Sequence, residues 1–188
     1  MKILAIIVTY NGEKWIDKCF NSLSNNTLDI DIIVIDNASK DNTVNLIKKS
    51  FPKVEVIESK ENLGFGKANN IGLKKALDKN FDYAFLLNQD AWVEPETIEK
   101  LIAISKTNPN YGVLSPIHLN GEKKLMDNNF FRYITTSEKS REFFTQHLMG
   151  ISPVVFEVDF VNAALWLITK ECIESVGGFD PIFSHYGE

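Results

Sequence analysis

Short polar segments follow four apolar runs of this chain, and they contain the side-chain types that bind nucleotides and divalent cations. The segments are Thr9-Tyr10-Asn11, Asp36-Asn37-Ala38-Ser39, Asn62-Leu63-Gly64-Phe65-Gly66 and Asn88-Gln89-Asp90. The carboxylate of Asp36 can accept hydrogen bonds from a base or a ribose. That of Asp90 can hold Mg²⁺ or Mn²⁺, which prefer oxygen ligands and keep substrate phosphates in their shell. Turns and helix caps use the same residue types, so each segment alone also fits a purely structural role.

The elements that must position these segments alternate along the first half of the chain, as in a parallel sheet flanked by helices. Predicted strands are 2–9, 31–35, 54–58 and 83–87, and predicted helices are 13–25, 41–50, 66–79 and 95–107. The strand candidates are rich in Ile, Val, Leu and Phe without clean alternation, which is typical of strands covered on both faces. Because parallel strands end at one edge of the sheet, the four polar segments are expected to meet there.

The pattern changes after residue 110. The stretch 121–152 is polar, irregular and mixed with aromatic residues, with helical character near 137–148, and strands are predicted again at 154–161 and 164–168. A helix over 170–176 should end at Gly177, where a glycine can adopt the left-handed conformation that closes a helix. The aromatic residues between 130 and 144 either form a satellite hydrophobic cluster or cover a groove. We expect one domain over 1–188, with a nucleotide-binding half at 1–110 and a second half at 111–188.

Composition and charge limit the classes of protein and partner. The chain has 188 residues, 44% of them hydrophobic and 24% charged, which suits a globular protein with one core. Its net charge of −5 disfavours nucleic acid as a partner, so a phosphate-bearing ligand must be held by a local device such as a metal, backbone amides or a few cations. Cys19 and Cys172 lack metal-ligand spacing and are expected to be reduced, buried thiols. No apolar run approaches about 18 residues, which favours a soluble, cytoplasmic chain and leaves association with a membrane surface open.

Two familiar phosphate-binding motifs are missing from the sequence. A dinucleotide fold would need G-x-G-x-x-G directly after the first strand, and residues 9–12 do not supply it. A P-loop needs G-x-x-x-x-G-K-[ST], whereas Gly64-Phe65-Gly66-Lys67-Ala68 has the wrong glycine spacing and lacks the hydroxyl. Both of these nucleotide-binding interpretations are therefore excluded.

Five motifs in register over nearly the whole chain resemble a known family. They are Ile-Ile-Val-Thr-Tyr-Asn-Gly (6 to 12), Val-Ile-Asp-Asn-Ala-Ser-Lys-Asp-Asn-Thr (34 to 43), Glu-Asn-Leu-Gly-Phe-Gly-Lys-Ala-Asn-Asn-Ile-Gly (61 to 72), Leu-Leu-Asn-Gln-Asp-Ala (86 to 91) and Gly-Gly-Phe-Asp (177 to 180). This order is similar to that of family 2 glycosyltransferases, and most similar to their rhamnosyltransferase-like branch. The resemblance implies a GT-A fold, an α/β architecture with a mostly parallel, Rossmann-like sheet. It also implies inverting transfer of a sugar from a nucleotide-diphosphate donor to a glycan or lipid-linked acceptor, usually with Mg²⁺ or Mn²⁺, in the assembly of a surface polysaccharide.

The resemblance also carries a set of nucleotide-binding residues onto this chain. Those expected to line the nucleoside or the diphosphate are Thr9, Tyr10, Asn11, Asp36, Asn37, Gly66, Lys67, Asn70, Asn88, Gln89 and Asp90. Within this set, Asp36 is expected to contact the base. The triplet 88–90 stands where the family has its Asp-x-Asp signature, and because its first residue is Asn, Asp90 is the expected metal ligand.

Four further residues are candidates on the acceptor and catalytic side. In similar proteins a Glu-Asp pair follows the Gly-Gly-Phe-Asp motif, and its Asp is the usual base. Glu188 matches the Glu, so the resemblance implies a chain truncated before its base that binds donor weakly and transfers sugar poorly. His185 would reach a metal or a leaving phosphate, or else be a solvated surface residue. Asp159, on the strand predicted at 154–161, would face the acceptor or be an edge-strand carboxylate, and Trp92 would stack on a sugar or belong to the core.

Two other classes of function stay open at this point. One is a non-catalytic module that binds a nucleotide sugar. The other is a nucleotidyltransferase, which can share the sheet and the metal dependence but usually carries a glycine-rich, basic loop after its first strand. Residues 9–12 contain no Arg or Lys. The sequence leaves the sugar, the base, the acceptor and the oligomeric state undetermined.

Overall fold

Alternating apolar and amphipathic segments build a sheet with helices on both faces. The strands are β1 (Ile3–Thr9), β2 (Asp31–Asp36), β3 (Glu55–Glu58), β4 (Tyr83–Leu87), β5 (Val113–Leu114) and β6 (Leu165–Thr169). The helices are α1 (Ile16–Ser24), α2 (Thr43–Ser50), α3 (Phe65–Asp78), α4 (Thr97–Thr107), α5 (Asn128–Thr135), α6 (Glu138–Leu148) and α7 (Lys170–Val176), with a 3-10 turn at Glu13–Trp15. This computed structural model describes residues 1–136, 138–151 and 155–180.

The chain forms two compact units, one of residues 1–114 with the chain from 164 on, the other of residues 115–163. The sheet belongs to the first unit, and its strand order in the described residues is β3-β2-β1-β4-β6-β5. Strand β1 pairs in parallel with β2 and β4, and β2 pairs in parallel with β3. Strand β6 is antiparallel to both of its neighbours. The carboxyl ends of β1, β2 and β4 therefore lie at one edge, and Thr9 is directly opposite Asp36.

The two faces of β1 serve two different layers of helices. Its alternate residues Ile3, Ala5 and Ile7 pack in one cluster with α1, α2 and α4, while Leu4 and Ile6 pack in the other with α3 and α7. All five are at most 4% exposed. Burial on both faces explains the unbroken apolar sequence of β1, as expected for a strand inside a parallel sheet.

The second unit contains two helices and an extended segment. The Asp127 side chain caps α5 by accepting hydrogen bonds from the N–H groups of Asn129 and Phe130 at 2.9 and 3.0 Å. In the extended segment, the ring of Phe156 stacks on Phe143 of α6 with centroids 3.9 Å apart. The stacking of these two rings favours the satellite aromatic cluster over a groove cover as the interpretation of this region.

Most predicted elements are present within a few residues of their predicted ends, and Gly177 closes α7 with a φ of +88°. The strand predicted at 154–161 is wrong for residues 155–161, which pair with no strand in the described part of the chain, and Val154 lies outside it. Phe156 stacks on Phe143 of α6 and Phe160 packs edge-on against Tyr133 of α5. These residues join no ladder, since β propensity depends on an available partner. Helix α5 and the short strand β5 were not predicted. Among the described residues, no helix has both the length and the apolar composition to cross a membrane.

Candidate functional site

A buried carboxylate holds the ends of β1 and β2 together. Asp36 is 2% exposed and accepts a hydrogen bond from the Thr9 hydroxyl at 2.8 Å. It also accepts bonds from the hydroxyl of Ser39 at 2.6 Å and from the N–H of Ser39 at 2.9 Å. Thr9 is itself fully buried, so both residues lie beneath the surface of this edge. The contacts with a nucleotide that the resemblance assigns to them stay predictions, and their observed role is to fix the loop after β2.

Asn37 connects this loop to the start of α3. Its backbone N–H donates to the Thr9 carbonyl at 2.7 Å, and its side-chain amide donates to the Gly64 carbonyl at 3.1 Å. The same amide accepts from the Leu63 N–H at 3.3 Å. Gly64 has a φ of +81°, a conformation that favours glycine, directly before α3 begins. Asn37 thereby links three of the four polar segments.

Every backbone N–H of residues 10–13 donates to a side chain from another part of the chain. The acceptors are, in order, Gln89 Oε1 at 3.0 Å, Ser39 Oγ at 2.9 Å, Thr43 Oγ1 at 2.8 Å and Asp41 Oδ2 at 3.1 Å. A phosphate-binding loop needs such N–H groups directed at its ligand. The loop after β1 instead presents side chains, with Tyr10 43% exposed and Asn11 also exposed.

Asp41 takes part in this network as a structural acceptor. Burial raises the pKa of its carboxyl, but hydrogen bonds from Thr43 and from the Glu13 N–H outweigh burial and hold the pKa below its ordinary value. Asp41 is not among the residues that the sequence placed at the site. The alternate spacing of Ser39, Asp41 and Thr43, three short side chains that bond readily to backbone, was the available signal for a larger role.

The segment after β4 forms a tight turn that exposes a carboxylate. The Ala91 N–H donates to the Asn88 carbonyl at 3.0 Å and closes the turn. Asp90 is exposed, and in the described part of the chain its carboxylate takes part in no hydrogen bond or ion pair. The Cys19 thiol lies beneath the turn, with its sulfur 3.7 Å from the Asn88 oxygen. Burial, with a smaller contribution from the Asp90 charge, raises the pKa of Cys19 to about 12.

The Asp90 carboxylate suits a metal ion that is also coordinated by a bound ligand. The described residues contain no group of three or more His, Cys, Asp or Glu side chains that could hold a metal ion. Mg²⁺ is commonly held by one or two carboxylates plus substrate phosphates and water. Asp90, exposed at the edge where the polar segments meet, has the chemistry for such a shared ion.

The first turns of α3 contain three of the predicted nucleotide-binding residues, and the surroundings of the three differ. Gly66 is buried, whereas Lys67 is exposed and forms no ion pair with any described residue. Asn70 donates to the Phe179 carbonyl and accepts from the Phe179 N–H, both at 2.8 Å. A Cβ atom at Gly178 would lie 2.1 Å from the Asn70 side-chain oxygen. Asn70 thus holds the Gly-Gly-Phe-Asp motif against α3, and its predicted contact with a diphosphate is untested.

The acceptor-side candidates that the structure describes belong to different compact units. Trp92 is half-buried, and the Lys18 ammonium lies 3.3 Å from its ring centroid, so one face of the indole is covered. Asp159 belongs to the second unit, lies on no strand, and has its carboxylate 3.7 Å from the Lys139 ammonium. Its predicted place on a strand is wrong, because residues 155–161 form no ladder. His185 and Glu188 lie outside the described residues.

Comparison with known proteins connects this architecture to one family. The family described as Glycosyl transferase family 2 matches residues 4–157. A UDP-N-acetylglucosamine–dolichyl-phosphate N-acetylglucosaminyltransferase of Methanococcus voltae is 35% identical over 115 residues, which are 53% of this chain and 45% of that protein. The low-salt glycan biosynthesis hexosyltransferase Agl10 of Haloferax volcanii is 26% identical over 97% of this chain and 57% of its own length. The chain spans about half the length of the curated relatives it matches.

Solved structures show the same fold. TarS of S. aureus in complex with UDP-GlcNAc superposes with a TM-score of 0.58 at 26% identity, covering 70% of this chain and 38% of TarS. A mannosyltransferase of Pyrobaculum calidifontis in complex with GDP-Man and Mn²⁺ superposes with a TM-score of 0.71, covering 96% of this chain and 48% of that one. At 18% identity the second likeness concerns the fold alone. The expected α/β, Rossmann-like glycosyltransferase fold is confirmed.

Proposed function

The chain belongs to glycosyl transferase family 2, and on this premise we propose that it binds a nucleoside-diphosphate sugar at the carboxyl edge of β1, β2 and β4. The proposed reaction is transfer of that sugar, with inversion, to a hydroxyl of a glycan or lipid-linked acceptor. The observation that carries the proposal is the exposed Asp90 carboxylate, which accepts no hydrogen bond from the described residues and follows a residue bonded to the loop after β1.

Different residues at this edge would bind different parts of the donor. The exposed side chains of Tyr10 and Asn11 would border the nucleoside, on a loop held rigid by four hydrogen bonds to its backbone. Lys67, exposed on the first turn of α3 and unpaired in the described residues, would attract the diphosphate. Asp90 would hold Mg²⁺ or Mn²⁺, with Asn88 beside it. When bound, the cation would stabilise the charge that develops on the departing nucleoside diphosphate.

The acceptor half of the reaction needs a base. An acceptor hydroxyl loses its proton as it attacks, and a carboxylate on the opposite face of the sugar is suited to take that proton. A single in-line displacement then inverts the configuration at the sugar carbon. The resemblance to family members gives Glu188 a place beside that base, so a base near the Gly-Gly-Phe-Asp motif, which Asn70 holds against α3, is part of the proposal.

Relatives guide the choice of donor. The names of two of them contain UDP-N-acetylglucosamine and GDP-Man, so both uracil and guanine donors occur among proteins of this fold. The rhamnosyltransferase-like resemblance adds thymidine donors to those worth testing. We also propose that the chain acts at the cytoplasmic side, in contact with a membrane surface, in the synthesis of a surface polysaccharide.

A thermal-shift titration tests the donor site. The chain is titrated with UDP, dTDP, GDP, CDP and ADP, each with and without Mn²⁺, because a ligand that binds only the native state raises its stability. We expect one nucleotide to raise the melting temperature only when Mn²⁺ is present, and Asp90→Ala to reduce that shift strongly. Asp29→Ala is the matched control, since Asp29 is also exposed but lies before β2, at the opposite edge of the sheet.

The outcomes separate the proposed function from its alternatives. If no nucleotide shifts the wild-type chain, the donor site is wrong. If the shift is undiminished in Asp90→Ala, the cation is not held there. Release of nucleoside diphosphate from the bound donor sugar in the presence of acceptor distinguishes a transferase from a module that only binds.

A further inference from the structure

The Gln89 side chain makes a two-way contact with the backbone of a single residue. The Tyr10 N–H donates to Gln89 Oε1 at 3.0 Å, and Gln89 Nε2 donates to the Tyr10 carbonyl at 3.1 Å. The register between β1 and β4 runs from Ile3 to Ile6 on β1. The Gln89 amide therefore connects the segments that follow β1 and β4, beyond the end of the ladder, where the two backbones are not paired.

The loop after β1 leaves a fitted space for this amide. A Cβ atom at Gly12 would lie 2.1 Å from Gln89 Oε1 and 2.8 Å from its Cδ. Gly12 has a φ of −101°, which any L-residue can adopt, so its backbone does not require glycine. The absence of a side chain at position 12 is explained by the amide packed against it.

The Gln89 amide makes both hydrogen bonds at once because it carries a donor and an acceptor. A carboxylate has no proton to donate to the Tyr10 carbonyl, and an aliphatic or thioether side chain of similar length would satisfy neither group. Gln89 precedes the exposed Asp90 in the turn that the Ala91 N–H closes. Gln89 therefore links Tyr10 directly to the turn that contains Asp90.

We propose that Gln89 is a positioning residue that fixes the cation-bearing Asp90 turn to the Tyr10 loop, so that the diphosphate and the nucleoside of one donor are held in register. The proposal rests on the proposed function and gives Gln89 a role different from the direct nucleotide contact that the resemblance implied. Residues that orient a metal ligand typically change metal affinity by about 10- to 100-fold when replaced.

A double-mutant cycle tests the proposal by calorimetric binding of the nucleoside diphosphate identified above, with Mn²⁺. Gln89→Met keeps the length of the side chain and removes both hydrogen bonds. We expect it to weaken binding about tenfold in the wild-type background and less than about twofold when Asp90→Ala is present, because its effect passes through Asp90. Gln146→Met on α6, where the side chain bonds to Glu142 alone among the described residues, is the matched control and should leave binding unchanged.

Two further measurements do not depend on a ligand or on the stability of one variant. Hydrogen exchange of the Tyr10 amide should accelerate at least about tenfold in Gln89→Met, since that N–H loses its acceptor. Gly12→Ala should displace the Gln89 amide by steric contact and reproduce the faster exchange of the Tyr10 amide without altering residue 89. In the Gln89→Ala background, where the space is free, Gly12→Ala should have little further effect on Tyr10 exchange.

Each result has a definite meaning. An equal loss of affinity in the wild-type and Asp90→Ala backgrounds indicates direct contact between Gln89 and the nucleotide and overturns the proposal. Unchanged affinity in Gln89→Met, or unchanged Tyr10 exchange, also overturns it. If the wild-type chain binds none of the nucleotides, the proposed function fails and this inference fails with it, whereas wild-type binding with an unaffected variant refutes the inference alone.

Discussion

The hydroxyl of Thr9 offers a sharp test of the buried network at the end of β1. Thr9→Val removes the donor to Asp36 while keeping the shape and burial of the side chain, since Thr9 is fully buried. A hydrogen bond to a charged acceptor contributes about 1.5–3 kcal/mol to stability. We therefore expect Thr9→Val to lower the free energy of unfolding by about 2 kcal/mol, although valine favours strands and is more apolar.

Two companion variants separate the hydrogen bond from packing. Thr9→Ser keeps the hydroxyl and loses one methyl group, which costs about 1 kcal/mol. Thr27→Val removes a hydroxyl that donates to the Glu99 carboxylate at the same distance of 2.8 Å, but at an exposed site. We expect its effect to stay within about 0.5 kcal/mol. The three free energies should rank Thr9→Val as the most destabilising.

Urea unfolding followed by tryptophan fluorescence measures these differences. Trp15, Trp92 and Trp166 all lie in the first unit, so their signal reports the unit that contains Thr9. An unchanged m-value would show that the variants expose the same surface on unfolding. If Thr9→Val is as stable as the wild type, or more stable than Thr9→Ser, the Asp36 network does not hold this edge together and the reasoning is wrong.

Three further predictions concern single contacts elsewhere in the fold. Since the thiol of Cys19 ionises near pH 9.0 when unfolded and near 12 when folded, its contribution is intact below pH 9 and is lost as pH rises. Between pH 9 and 10, urea unfolding should show the wild type losing about 1 kcal/mol more than Cys19→Ala, and equal losses would contradict this. Gly72→Ala places a Cβ 2.4 Å from the Ile6 side chain and should lower the free energy of unfolding by about 1–3 kcal/mol. In an Ile6→Ala background the same change should not lower it, and a persistent loss would refute the steric cause. Asp127→Ala removes the cap of α5 and should destabilise the second unit by about 1 kcal/mol, measured by circular dichroism, with Asp127→Asn as the variant that retains an acceptor.

The sheet was predictable because a strand that is buried on both faces has apolar residues at consecutive positions. Strand β1 is apolar at consecutive positions from Ile3 to Val8, and a polar residue follows at the point where the chain leaves the core. The same sequence logic failed at residues 155–161, whose alternating β-branched and aromatic residues found no neighbouring strand. A partner is a property of the tertiary fold, and local propensity carries no information about it.

Residue types located the candidate site, but they could not separate binding residues from framing residues. Asp36 and Asp90 both follow apolar strands, yet one carboxylate is 2% exposed with three protein donors and the other is exposed. The donors to Asp36 come in part from a residue 27 positions away, and Gln89 bonds to a residue 79 positions away. Contacts of that range depend on strand order, which the sequence pattern did not specify.

The occupied backbone N–H groups at this edge explain why a cation belongs to the proposed function. A glycine-rich loop can bind phosphate through its own N–H groups, but here all four N–H groups of residues 10–13 already have side-chain acceptors. The exposed Asp90 carboxylate would repel a diphosphate placed beside it, in a chain whose net charge is already −5. A divalent ion held by Asp90 would attract the diphosphate where the carboxylate alone would repel it, and Lys67 alone cannot supply that ion's charge. The metal dependence expected of donor binding therefore follows from how the backbone of the Tyr10 loop is already used.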